Sequence, residues 1–281
     1  MSDSTPGDAT KRKNTGHDRE KGRRFRSDGT SIWTKPGVSG PGVWVSCIKG
    51  KEKQAVGEVY QVFESIASDV WPQSAPDGDG EKSVESDGAE DGDDFEAQIA
   101  KELAAIKRPR KEQRFANCQT GTPCLIFISC KPPVDPVKLV LKYLEGVRET
   151  GITQTRYILR LTPVSNSCVT ALPEIKHLIQ KAMEEFVSPL GDDVAFSFKI
   201  ELKIRNHSTL TRQSLIEAVG ESVPRKFKVD LEAPEVFILV EVFKSTCGVS
   251  VVRDYYNLKK FNVLELASEG RREDTKIGLA P

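Results

Sequence analysis

The side chains of this 281-residue chain with an intrinsic capacity for nucleophilic, redox or metal chemistry are six cysteines and three histidines. Cys47, Cys118, Cys124, Cys130, Cys168 and Cys247 form no CxxC pair, and His17, His177 and His207 do not cluster with them. Neither a zinc site nor a disulfide framework is suggested by that spacing. Cys168 with His207 is the one nucleophile–base pairing that spacing leaves open, and it lacks a third group to orient the imidazole. The sequence contains no GxxxxGK[ST] phosphate loop, no GxGxxG placed after a strand, no GxSxG elbow and no HExxH pair. Residues 77–96 hold ten acids and a single lysine, but in sequence too poor in apolar residues to fix a general acid and base at a set separation. The expectation is a chain with no catalytic residues, no metal and no small-molecule cofactor.

Cations on ordered elements are what remains. The formal net charge of zero averages segments of opposite sign, because outside residues 77–96 there are 40 basic against 31 acidic residues, a balance of +9. Such an excess favours a polyanionic partner. Residues 195–206 (AFSFKIELKIRN) alternate with period two, placing Phe196, Phe198, Ile200, Leu202 and Ile204 on one face and Lys199, Lys203 and Arg205 on the other. Asn206 and His207 carry that wet face into the next loop. Side chains of this kind contact phosphates and sugar hydroxyls, which position an RNA without reading much of its sequence. Arg156 and Arg160 are expected to share a face of a second strand, and Arg225, Lys226 and Lys228 to form a loop cluster. Phe196 and Phe198 are read as core, since the RNP1 pattern of stacking aromatics is missing.

The elements that must position these groups follow from periodicity. Residues 1–40 are polar and are expected to form a flexible tail, whose Lys11, Arg12, Lys13, Lys21, Arg23, Arg24 and Arg26 suit nuclear import or an RNA-clinging arm. A strand is expected over residues 43–48, a helix over 53–68, an acidic insertion over 71–93, and a helix carrying Phe95, Ile99, Leu103 and Ile106. A strand over 124–130, a helix opening at Pro136 and a strand over 156–161 complete an α/β (α+β) layer of ferredoxin-like type. Then come a helix over 173–186, the alternating strand, a helix capped by Thr211, strands over 235–243 and 248–253, and loss of pattern after Glu269. No run approaches the roughly 20 apolar residues that span a bilayer, and no secretory leader is present, so an intracellular protein is expected.

Three stretches carry a family resemblance: RYILRLTPVSNSC (residues 156–168), KIRNHSTLTR (203–212) and VFILVEVFKSTCGVSVVRDYYNLKKFN (236–262). They closely resemble the THUMP domain-containing adaptors of tRNA cytidine acetylation. The VWVSCIKGKE strand and the FEAQIAKELAAIKR helix flanking the acidic insertion extend the match to about residues 40–266. The resemblance implies a disordered basic tail (1–40), an N-terminal ferredoxin-like domain (41–163), a THUMP domain (164–266) and a disordered tail (267–281). It further implies that the chain grips the acceptor end of tRNA while a separate RNA cytidine acetyltransferase forms N4-acetylcytidine in the D arm of serine and leucine tRNAs, in the nucleus or nucleolus. Enzymes with THUMP domains carry a fused catalytic domain, whereas about 12 residues follow Glu269 here. The RNA-binding residues implied are Arg156, Arg160, Lys199, Lys203, Arg205, Asn206, Arg212, Lys244 and Arg253. A stand-alone RNA-modifying enzyme and a general RNA-binding or ribosome-assembly factor are the alternatives.

Overall fold

A run of β-branched and aromatic residues forms β1 (Gly42–Cys47), buried at five of its six positions. The computed structural model describes residues 37–72, 113–191 and 194–277, with side chains described to Arg271. The basic blocks of the tail, nearly all of the acidic insertion and the helix expected over residues 95–106 lie outside the described residues.

After β1 come α1 (Glu52–Val70), β2 (Phe115–Cys118), β3 (Leu125–Cys130), α2 (Pro136–Thr150) and β4 (Ile158–Val164). Asp135 caps α2 by accepting from the Val137 and Lys138 amides, Pro136 occupies the first turn, and Gly151 ends the helix with φ 63°. The four strands pair antiparallel in the order β2-β3-β1-β4, which with βαββαβ connectivity is the ferredoxin-like arrangement. β2 was not anticipated: four residues behind a basic run carry too short a pattern to read. Either side of residues 73–112 the chain is tied together, an Arg114 Nη donating to the Trp71 carbonyl at 2.9 Å.

The second half contains β5 (Asn166–Val169), α3 (Leu172–Val187), β6 (Ser197–Arg205), α4 (Arg212–Ser222), β7 (Lys228–Val229), β8 (Val236–Phe243) and β9 (Thr246–Val252). Its sheet runs β5-β9-β8-β6-β7, with β6 parallel to β8. Parallel neighbours need a crossover, and α4 lies in it. Phe196, Phe198, Leu202, Val236, Ile238, Val240 and Val249 bury one face of this sheet under α3 and α4, so the two phenylalanines are core.

The other face of β8 and β9 packs on the first sheet. Trp44 of β1 sits 4.8 Å from Phe127 and 5.0 Å from Phe243, ring centre to ring centre, in a cluster with Cys118, Leu125 and Val164. Ser250 donates to the Pro163 carbonyl at 2.8 Å, and a Cβ on Gly248 would meet the Val164 methyls at 2.8 and 3.0 Å. Only hydrogen at that position allows the sheets to approach so closely.

Past β9 the chain returns to the first half. Tyr255, Leu258, Phe261, Val263, Leu266 and Ala267 join the core of Val43, Val45, Leu139 and Leu144, and α5 (Val263–Ile277) lies along α2. Gly270 comes close enough that a Cβ would meet the Arg148 carbonyl at 2.8 Å. Residues 267–277, expected from sequence to be a patternless tail, continue this helix, whose Val263, Leu266 and Ala267 pack on residues more than a hundred positions upstream.

Candidate nucleic-acid interface

β6 is the second-to-last strand of its sheet, and β7 covers only Ser197 and Phe198. Its wet face therefore stands beside an open edge, with the Leu202 carbonyl held there by an Arg212 Nη at 2.9 Å. From Lys199 to Arg205 that face extends for about 20 Å at a strand rise of roughly 3.3 Å per residue.

Lys199 donates to the Leu231 carbonyl at 3.0 Å and lies 5.0 Å from the Tyr256 ring. The neighbouring Tyr256 hydroxyl raises the Lys199 pKa above the usual lysine value, so its charge is secure. Tyr256 in turn donates to Glu201 at 2.6 Å. Lys260 approaches the same ring at 5.1 Å, and Arg160, Lys259, Lys260, Glu265 and Tyr256 line one cavity. Arg160 of β4 and Lys199 of β6 thus both neighbour Tyr256, a residue that periodicity did not single out. Lys259 and Lys260 were missed as well; their only signal was the adjacent pair of lysines in the YYNLKKF stretch.

At the other end of β6, Arg205 has no side-chain hydrogen bond or ion pair among the described residues. Asn206, with φ 53°, donates to the Thr122 hydroxyl at 3.0 Å, and Lys244, also φ 53°, donates to the Thr120 carbonyl at 2.8 Å. Both side chains thereby span from the second sheet to the β2–β3 loop of the first.

Lys203 differs from its neighbours. It is the register partner of Glu241 and contacts that carboxylate at 3.0 Å, the lysine side chain being 26% exposed and the glutamate 7%. The physical role of Lys203 is to neutralise a buried carboxylate, which leaves it less able to serve an external anion.

Two expected residues, Arg156 and Arg253, lie apart. The register of β1 against β4 jumps from Ser46↔Arg160 to Cys47↔Ile158, so Leu159 is bulged and Ile158 and Leu161 both face the core. An extra residue inverts the alternation. Arg156 therefore does not share a face with Arg160, contrary to expectation, and packs 5.8 Å from Tyr157, which Lys51 approaches at 5.7 Å. Arg253 is on the α3 side of its sheet, 5.7 Å from Phe186, in an apolar cleft of about 650 Å³ shared with Leu141 and Val251. Arg225 and Lys226 are exposed in the turn that leads into β7, and Lys228, expected in the same loop, is in β7 opposite Ser197 of β6.

The Cys168–His207 pairing does not form. Cys168 on β5 is the register partner of Cys247, with β9 and β8 between it and β6, and hydrogen bonding to Cys247 lowers its pKa. His207 uses its ring nitrogens on the Lys244 carbonyl (2.7 Å) and the Leu210 amide (3.0 Å). Among the described residues no group of three or more His, Cys, Asp or Glu could hold a metal, and no helix is long and apolar enough to cross a membrane.

The chain matches the THUMP domain family over residues 169–252. It is 30% identical over 243 residues to THUMP domain-containing protein 1 of Mus musculus, covering 84% of this chain and 67% of that protein. It is 29% identical over 237 residues to an uncharacterised protein of Schizosaccharomyces pombe, covering 84% and 78% of the two chains. With the protein named tRNA acetyltransferase TAN1 of Saccharomyces cerevisiae it shares 27% identity over 285 residues, covering 94% and 96%. A solution structure of the THUMP domain of THUMP domain-containing protein 1 matches at 31% identity with a TM-score of 0.24, covering 28% of this chain and 85% of that one.

Proposed function

Because this chain belongs to the family of THUMP domain-containing protein 1, we propose that it binds tRNA by its acceptor end along the β6 face and presents it to a separate RNA cytidine acetyltransferase. A role tied to tRNA modification is supported by the THUMP match and by the name of the yeast relative. The observation that carries the finer reading is the convergence on one strip of Arg160, Lys199, Lys260, Arg205, Asn206 and Lys244, contributed by β4, β6 and the turns after β6, β8 and β9. A strip of this kind grips backbone phosphates and sugars and fixes register without base readout. The contribution to acetylation is then proximity: a rigid two-sheet body holds the acceptor end while the D arm, at a fixed distance along the tRNA, meets the acetyltransferase. Serine and leucine tRNAs as substrates, and a nuclear site of action served by the basic tail, belong to the same proposal.

The strip makes a quantitative prediction. Replacing Lys199 and Arg205 together with glutamine lowers the slope of log affinity against log salt by roughly 1.4 to 1.8, about 0.7 to 0.9 for each phosphate that is no longer neutralised. Fluorescence anisotropy on tRNA at several salt concentrations reads it, and an unchanged slope assigns the face to solvent. Trimming the 3′ end of the tRNA is expected to weaken binding by the intact chain; equal affinity for both forms favours a general RNA-binding factor.

The name of the yeast relative favours a second reading, that the chain itself transfers acetyl groups. A single-turnover assay with purified chain, acetyl-CoA and tRNA separates the two. The adaptor reading expects no acetylcytidine until the partner acetyltransferase is added, and product without it overturns that reading.

A further inference from the structure

The cavity of about 400 Å³ beside Tyr256 has a composition that the strand face alone does not explain. Arg160, Lys259 and Lys260 line it, against one carboxylate, Glu265. Lys259 is shared with Glu269 at 2.7 Å, whereas Arg160 and Lys260 form no ion pair among the described residues. The Nε of Arg160 is sealed from solvent and has no acceptor, an arrangement that native proteins rarely leave standing.

The backbone is committed to this placement. Lys259, Lys260 and Phe261 have φ of 51°, 52° and 62°, three consecutive residues in a region that L side chains rarely adopt. Phe261, fully buried and 4.9 Å from Tyr255, pins the turn, and the Lys260 amide donates to the Tyr255 carbonyl at 2.7 Å. Asn262, bridged to Arg160 across the two backbones, follows it and caps the Glu265 amide at the start of α5. The positive end of that 15-residue helix therefore adds to the same field.

We propose that this cavity docks one phosphodiester of the bound RNA, held by Arg160 and Lys260 together. The proposal rests on the RNA-binding reading above and names a contact within it. An arginine beside a lysine suits a phosphate: the planar guanidinium gives paired donors and the ammonium gives a mobile point charge. Lys199, across the Tyr256 ring, places the neighbouring part of the backbone on the β6 face.

The test is tRNA binding by the full chain across a salt series, with Lys260→Gln, Arg160→Gln, the double variant and Arg160→Lys. Lys260 is exposed, so its substitution leaves the fold intact even if Arg160→Gln does not. Each glutamine variant is expected to lower the salt slope by roughly 0.7 to 0.9 and affinity by about four- to fivefold at 0.15 M salt. The double variant should lose little more, because both groups hold one phosphate, and Arg160→Lys should keep the slope. Ethylation interference should identify one tRNA phosphate whose blockage weakens the wild type and no longer matters in the double variant. Unchanged slope and affinity in Lys260→Gln overturn the proposal. So does saturation of the cavity by inorganic phosphate or AMP at micromolar concentration, which would mark a mononucleotide site. Failure of the wild type to bind tRNA at all instead sinks the functional reading on which the proposal depends, and the proposal with it.

Discussion

Trp44→Ala is expected to destabilise the protein by about 3 to 5 kcal/mol, the range for removing a large aromatic from a packed core. Trp44 is 3% exposed and wedged between Phe127 of its own sheet and Phe243 of the other, so the cavity would open at the seam and not within either layer. Neighbouring Cys118, Leu125 and Val164 belong to rigid strands and have little freedom to collapse into it. Against a total stability of roughly 5 to 15 kcal/mol, that loss lowers the melting temperature by about 10 °C. The consequence reaches the candidate interface, because Phe243 immediately precedes Lys244, whose ammonium crosses to the Thr120 carbonyl at 2.8 Å. Weaker tRNA binding is therefore expected even below the melting transition, with Trp44→Phe retaining most of both properties. A melting temperature within about 3 °C of wild type would show that the seam does not hold the sheets together.

The second large effect is expected at Lys203. Replacing it with alanine strands the Glu241 carboxylate, 7% exposed, in the middle of the sheet without its partner at 3.0 Å. Removing one member of a fully buried pair costs about 3 to 5 kcal/mol, and because Lys203 remains 26% exposed, water can reach the site and the expected cost falls to about 2 to 3 kcal/mol. Adding Glu241→Gln should recover about half, since the stranded charge is gone while the amide still needs a partner. A double-mutant cycle by denaturant unfolding measures this directly. Additive losses would mean that the two side chains act independently and that Lys203 faces the ligand as Lys199 and Arg205 do. The contrast with those two is the useful part: Lys203→Ala should lose stability first, and Lys199→Gln with Arg205→Gln should lose salt-dependent affinity without loss of fold.

Cys47 offers a smaller check on the first core. It is 2% exposed, and burial pushes its thiol up to about 11. It should therefore resist alkylation at pH 8 until the protein unfolds, because the reactive thiolate is scarcely populated. Rapid labelling in the native state would mean that the start of α1 opens readily.

What could be read from the chain by itself was whatever repeats over a few residues. The alternation in β6 placed Lys199, Lys203 and Arg205 on one face, Pro136 and Thr211 marked helix starts, and the segregation of acid into residues 77–96 exposed the basic remainder. Periodicity suffices there because one strand or helix decides its own faces once one side is buried. Edge strands β2, β5 and β7, of four, four and two residues, are too short to carry a period and exist only because a longer neighbour pairs with them.

Everything that depends on a distant partner was decided by the tertiary structure. A bulge at Leu159 separated Arg156 from Arg160, register placed Glu241 opposite Lys203, and the return of residues 255–271 to the first core brought Tyr256, Lys259 and Lys260 beside Arg160. A side chain's local pattern gives its direction, whereas its charge partner, its burial and its usefulness to a ligand depend on what folding packs against it. In this protein those partners lie 38 residues away for Lys203 and about a hundred for Arg160.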